Sequence, residues 1–165
     1  MKGKKTEFLQ IRISKEDKAL IKAAAKSAGE DMSQWILNRI LSKDSSEFLK
    51  LTDRLADNET ESFYIFAQIH DFLASLSKKN FMSAVDLPPN FDLSGFKGSY
   101  LAAMIEERAN QLKEAAPEWT ERYGSLEKPH FGTNLKGLRL HLLANSPPPF
   151  RKRNIFIDST VGARV

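Results

Sequence analysis

Phe8, Gln10 and Arg12 stand two residues apart, and in an extended chain that spacing sends all three side chains out of one face. An arginine can give two parallel hydrogen bonds to the O6 and N7 edge of guanine, a glutamine can pair with N6 and N7 of adenine, and an apolar ring can lie against the thymine methyl. The three residues therefore suit base reading in a DNA groove, a chemistry of recognition that needs no metal or cofactor. Reactive chemistry has no comparable constellation. His70, His130 and His141 are scattered, at spacings that make no metal-ligand pair with one another or with an acid. His70 and Asp71 are neighbours on a helical stretch and so point about 100° apart, which does not join a base to its orienting carboxylate. Glu106, Glu107 and Glu127 read as solvated charges, and Gly95, Gly98, Gly132 and Gly137 do not make a phosphate-cradling loop between a strand and a helix. The chain has no cysteine, which excludes disulfides, thiolate zinc sites, iron–sulfur clusters and cysteine nucleophiles. No catalytic residue, metal ligand or cofactor is assigned, and the expectation is a protein that is not an enzyme. An aromatic small-molecule pocket leaves no sequence signature and stays open.

The candidate readers need an element to hold them. From Glu7 to Ile13 the residues alternate, with Leu9, Ile11 and Ile13 on the face opposite Phe8, Gln10 and Arg12, which predicts one half-buried strand. Ser14 followed by Asp17 predicts a capped helix start, and Leu20, Ile21, Ala24, Ala25 and Ala28 recur at helical spacing until Gly29 stops them. Asp31 with Gln34 offers a second cap, after which Met32, Trp35, Ile36, Ile40 and Leu41 mark a second helix running to about Ser42. A strand and two helices cannot bury enough surface alone, and a lone strand leaves both edges unpaired, so pairing with the same strand of a second chain is expected. Leu9, Ile11, Ile13, Leu20, Ile21, Trp35, Ile36 and Ile40 would then form the dimer core, with the readers of both chains facing outward on a ribbon narrow enough for the major groove. The plainer alternative is that the module only dimerises.

Charge follows the same division. Residues 1–43 hold ten Lys or Arg against five Asp or Glu, whereas the remaining 122 hold fifteen against sixteen. A basic amino-terminal module, with Lys4 and Lys5 ahead of the strand, is what attraction to a phosphate backbone calls for. The whole chain has 165 residues, 41% hydrophobic and 28% charged, with a mean hydropathy of −0.41. These values fit a soluble globular protein with room for one sizeable core. No apolar run approaches the roughly eighteen residues that cross a bilayer, and the lysine-rich start leads into alternating residues instead of a signal core, so a cytoplasmic location is expected.

The run from Phe8 to Ile21, continuing through Ala23-Ala24-Ala25 to Gly29 and Met32-Ser33-Gln34-Trp35-Ile36, resembles the ribbon-helix-helix repressors, especially the antitoxins encoded beside acetyltransferase toxins. The resemblance covers residues 6–43. It implies that alternate strand residues, here Gln10 and Arg12 with Phe8, read bases, and that the start of the second helix, here Asp31, Met32 and Ser33, holds a phosphate. It further implies a homodimer on a palindromic operator and a cognate toxin as protein partner. Two departures stand out: Phe8 occupies a place usually held by a polar or basic reader, and Glu30-Asp31 sets two carboxylates beside the helix terminus that should face a phosphate.

Beyond residue 43 the text stays helical and resembles no family. A hinge is expected at residues 42–46, then helical segments carrying Phe48 to Leu55, Phe63 to Leu76, Phe81 to Val85 and Tyr100 to Leu112, with a loop at residues 86–98 marked by Pro88, Pro89, Gly95 and Gly98. A short segment around Trp119 and a last helix with Leu135, Leu138, Leu142 and Leu143 complete a helical domain over 44–146. The tail, 147–165, combines a proline run, the basic triplet Arg151-Lys152-Arg153 and the apolar Ile155 and Phe156. It could dock on a partner through Phe150, Arg151, Lys152, Arg153, Ile155 and Phe156, lie across the chain's own helices, or touch DNA through the triplet. The fold expected is mainly α: a ribbon-helix-helix module of one strand and two helices in an intertwined dimer, then a helical domain with a Pro-rich basic tail. The function expected is a dimeric repressor of antitoxin type. A partner-binding adaptor whose first module only dimerises is the alternative, and an effector-sensing repressor the third reading.

Overall fold

Eight α-helices and a two-stranded sheet are present among the residues that the computed structural model describes, 10–27, 29–40, 43–57, 61–93 and 95–158. The chain divides into two compact units, residues 1–41 and 42–165.

In the first unit α1 (Lys15–Ser27) and α2 (Met32–Ile40) pack on each other. Both start where their caps predict. The Ser14 hydroxyl accepts from the Asp17 N–H at 3.0 Å and donates to the Asp17 carboxylate at 2.7 Å, and the Asp31 carboxylate accepts from the Gln34 N–H at 3.0 Å, so donors that the first turn would leave orphaned are met. Past the end of α1, Gly29 has a φ of +69° that lets the Glu30 N–H turn back to the Ala25 carbonyl at 3.0 Å, a closure that a β-carbon would strain. Of the strand expected over residues 7–13, residues 7–9 lie outside the described residues, and residues 10–14 have no regular structure. A strand is held by ladder hydrogen bonds, and the pairing expected for this one lies in a second chain, not within its own.

The second unit is built round α6 (Phe96–Leu112), which buries residues on nearly every side, among them Gly98, Leu101, Ala102, Ala103, Ile105 and Ala109. Against it pack α4 (Ser62–Ser75) and α5 (Lys78–Val85), and α3 (Lys43–Asp57) packs on both of these. Phe48 of α3 stacks with Phe72 of α4 and meets Trp119, whose indole N–H donates to the Val85 carbonyl at 2.9 Å. α3 runs unbroken from Lys43 with Ser45 buried inside it, so residues 43–46 of the expected hinge are helical, while the division between the units falls at 41/42. Gly98, expected in a loop, lies within α6, which begins three residues earlier than Ser99. α6 closes at Lys113 in the left-handed region. Arg108 caps α4 by donating to the carbonyls of Leu73, Ala74 and Leu76 at 2.9–3.1 Å.

The carboxy-terminal part is woven into this core. α7 (Arg139–Asn145) leads to α8 (Pro148–Lys152), and β2 (Ile155–Phe156) pairs in parallel with β1 (His130–Phe131). Phe150, Ile155 and Ile157 are buried. So is Arg153, whose five N–H donors are all engaged: two on the Glu106 carboxylate at 2.6 and 2.8 Å, and one each on the carbonyls of Thr120, Tyr123 and Pro149 at 3.0–3.1 Å. Burial alone would raise the Glu106 pKa, but the hydrogen bonds and charge of Arg153, with Lys152 nearby, outweigh it and hold the carboxyl below its ordinary value of 4.5. His130, packed on the Phe96 ring, is pushed below 6.5 by burial. Both folded values are depressed, so each group adds stability that is complete above its unfolded value and is lost as the pH falls through its folded one. Thermal unfolding across a pH series is expected to give a midpoint that is level above about pH 7 and falls on acidification, with the more acidic part of the fall missing in Glu106→Gln.

Candidate nucleic-acid interface

Gln10 and Arg12 are exposed in the segment that enters α1, and Ile11 and Ile13, which alternate with them, are 53% and 45% exposed. Leu20 of α1 is 69% exposed, Ile21, Trp35 and Ile36 are half-buried, and Ala25 is the one buried side chain among the described residues of this unit. Phe8, Leu9, Lys4 and Lys5, with the side chain of Ile40, lie outside the described residues. The unit leaves Ile11, Ile13 and Leu20 uncovered, which keeps apolar surface in water at a cost of about 25 cal/mol per Å2.

At the start of α2 the Asp31 carboxylate is occupied with the Gln34 N–H, and the Trp35 N–H is taken by the Asp31 carbonyl at 2.9 Å. The amides of Met32 and Ser33 sit at the positive end of the helix dipole, where a phosphate oxygen would be received, although the Asp31 carboxylate shares that end. Ser33 is exposed and Met32 half-buried.

One feature was missed in the residue-by-residue sequence analysis. Lys15, Lys18, Lys22 and Lys26 fall at i, i+3, i+7 and i+11 of α1, all exposed, so they form a single lysine stripe on the side away from Leu20, Ile21 and Ala24. None has an ion pair among the described residues. Plotting charge at helical period would have found it.

The second unit answers the tail question differently from the partner-docking expectation. Phe150, Arg153 and Ile155 are interior, because the proline run folds into α8 and carries them into the core; only Arg151 and Lys152 are exposed, and Phe156 is half-buried against Phe131. Phe63, expected in the core, is 72% exposed. It stands on the lip of a groove of about 430 Å3 between α4 and α6. The segment expected as a last helix leaves Leu135, Leu138, Leu140 and Leu143 exposed and, of its leucines, buries Leu142 alone. His141 reaches Asp158 at 3.5 Å, an exposed contact. Among the described residues no three His, Cys, Asp or Glu side chains converge as a metal site, and no helix is long and apolar enough to cross a membrane.

Residues 8–62 match the family described as Antitoxin TacA 1-like. The matched third of the chain is an antitoxin-like segment, and it runs past residue 43 through all of α3 to the first residue of α4. No curated protein and no solved structure matches the chain.

Proposed function

We propose that the chain is an antitoxin-type transcriptional repressor that acts in the cytoplasm as a homodimer. Residues 7–13 of two copies pair as an antiparallel ribbon, Gln10 and Arg12 with Phe8 read a palindromic operator, and the second unit holds a cognate toxin. The observation that carries this reading is the antitoxin-family match falling on a unit whose Ile11, Ile13 and Leu20 are exposed beside Gln10 and Arg12. Pairing would cover the three apolar side chains and place both sets of readers on one surface. The lysine stripe of α1, with Lys4, Lys5 and the Met32 and Ser33 amides, supplies the phosphate contacts. For the partner, four exposed leucines within residues 135–143 form apolar surface of the kind that marks protein contact sites. Partner binding would then alter operator affinity by linkage, so that repression reports the toxin level.

Fluorescence anisotropy of the full chain on the DNA upstream of its own gene, against scrambled DNA and at two salt concentrations, tests this. Arg12→Ala and Gln10→Ala should each cost about 1–3 kcal/mol on the operator while sedimentation still shows a dimer. In the same titration Asp31→Asn keeps an acceptor for the Gln34 N–H, removes a charge from the phosphate end of α2, and should tighten binding. Weak association of equal strength with both DNAs, unmoved by the variants, would reduce the module to a dimerisation device in an adaptor.

A further inference from the structure

The groove between α4 and α6 has the make-up of a small-molecule site. α4 lends it Phe63, Ala67 and His70 at helical spacing, and α6 lends Tyr100, Met104 and Glu107. Phe150 and Asp158 from the carboxy-terminal part close one side. Its volume of about 430 Å3 lies in the usual range of ligand cavities, and an apolar lining with few polar groups is the usual composition of such cavities.

Three observations narrow the ligand. The Tyr100 ring packs on Phe66 at 4.5 Å and on Phe150 at 5.3 Å by ring centres, which backs the groove with aromatic carbon against which an apolar tail can lie. The Tyr100 hydroxyl and the His70 imidazole make no hydrogen bond to any described residue, while nearby polar groups do; a partly desolvated hydroxyl without a partner is an unspent donor and acceptor. Burial raises the Tyr100 pKa from 10.0, so the hydroxyl keeps its proton at neutral pH. The formal charges are the carboxylates of Glu107 and Asp158 against Arg108 alone, and the Arg108 guanidinium is committed to Leu73, Ala74, Leu76 and the Gln111 side chain. Those acceptors are neutral and leave the guanidinium charge in place, so two carboxylates against one cation give the lining a net negative charge that disfavours an anionic head.

We infer that the α4–α6 groove binds a small amphipathic amine, with its apolar tail on the Phe66–Tyr100–Phe150 floor and its ammonium between the Tyr100 hydroxyl and the carboxylates of Glu107 and Asp158. The groove lies in the second unit alone, and its occupancy does not depend on DNA being read. It gives the second unit a means of sensing a metabolite of that class.

The test is a nitrogen–proton correlation titration of the full chain with three probes of one tail and different heads: 4-phenylbutylamine, 4-phenylbutanol and 4-phenylbutyrate. The amine should shift amides of α4 and α6 around the groove and saturate at least about tenfold more tightly than the butyrate, with the alcohol between them. Tyr100→Phe keeps the ring packing and should weaken the amine about fivefold. Ala67→Trp, at an exposed position, should fill the groove and abolish the shifts without lowering the melting temperature. Equal or tighter binding of the butyrate would overturn the proposal, as would no saturable shift, shifts centred elsewhere, such as the cleft beside Phe91 and Arg122, or binding that survives Ala67→Trp. Binding seen only after removal of residues 159–165 would assign the groove to that segment and overturn it too.

Discussion

Arg153→Ala should lower the stability of the second unit by about 3–5 kcal/mol, a fall of roughly 10–20 °C in its melting temperature. The size comes from what is left behind more than from what is lost. Glu106 would keep a charge at the core's edge with its bidentate partner gone, and the carbonyls of Thr120, Tyr123 and Pro149 would lose their donor together. Those acceptors belong to the turn at residues 118–122 with its exit and to α8, so one side chain ties two further pieces of chain to α6. Glu106→Gln should cost less, since an amide oxygen still accepts from Arg153. The pair Arg153→Met with Glu106→Leu should recover only part of the loss: the uncompensated charge is gone, but the three carbonyls remain unmet. Arg153→Lys should fall between, because an ammonium has three donors for five acceptors. Chemical or thermal melts of the four variants read this directly. A loss under about 1 kcal/mol for Arg153→Ala would mean that the tail is not held by this residue and would return it to a free, partner-facing role.

The same residue shows where sequence analysis stops. Ser14 with Asp17, Asp31 with Gln34, and Gly29 were legible because a cap is decided within three or four residues, and the structure makes those bonds where the letters put them. Nothing within Arg151-Lys152-Arg153 tells the third residue from the other two. Its partner, Glu106, lies 47 residues away on a helix whose own pattern gave it as a solvated charge. Composition misled in the same way at Pro147-Pro148-Pro149, where prolines at the first positions of α8 start a helix instead of preventing one. Phe63 and Phe66 look alike along α4, and only the position of α6 decides that one is 72% exposed and the other 4%. The groove was beyond reach for that reason: its six principal residues come from two helices with α5 and a loop between them in sequence, and none of their spacings is unusual for a core. The base readers were legible in type and spacing, yet whether they form a ribbon depends on a second chain.

Gly98→Ala is the second variant with a large expected effect, and its sign reverses the usual one. An exposed helical glycine changed to alanine gains about 1 kcal/mol of helix propensity. A β-carbon at Gly98, however, would lie 2.0 Å from the Leu93 carbonyl oxygen and 2.2 Å from the Tyr123 ring, inside any real contact distance. Tyr123 cannot easily yield: its ring packs edge-on against Trp119, and its carbonyl receives the Arg153 guanidinium. The start of α6 would have to move from the loop before it, and overpacking of this kind costs about 3 kcal/mol. The expected result is a melting transition of the second unit lowered by roughly 8–15 °C. Operator affinity separates two meanings of that loss. If the units fold independently, Gly98→Ala at a temperature between the two transitions should keep the Arg12-dependent DNA binding while losing capture of the partner and of the amine probe. Loss of all three together would show that the ribbon needs a folded second unit, and repression would then be sensitive to whatever occupies the α4–α6 groove.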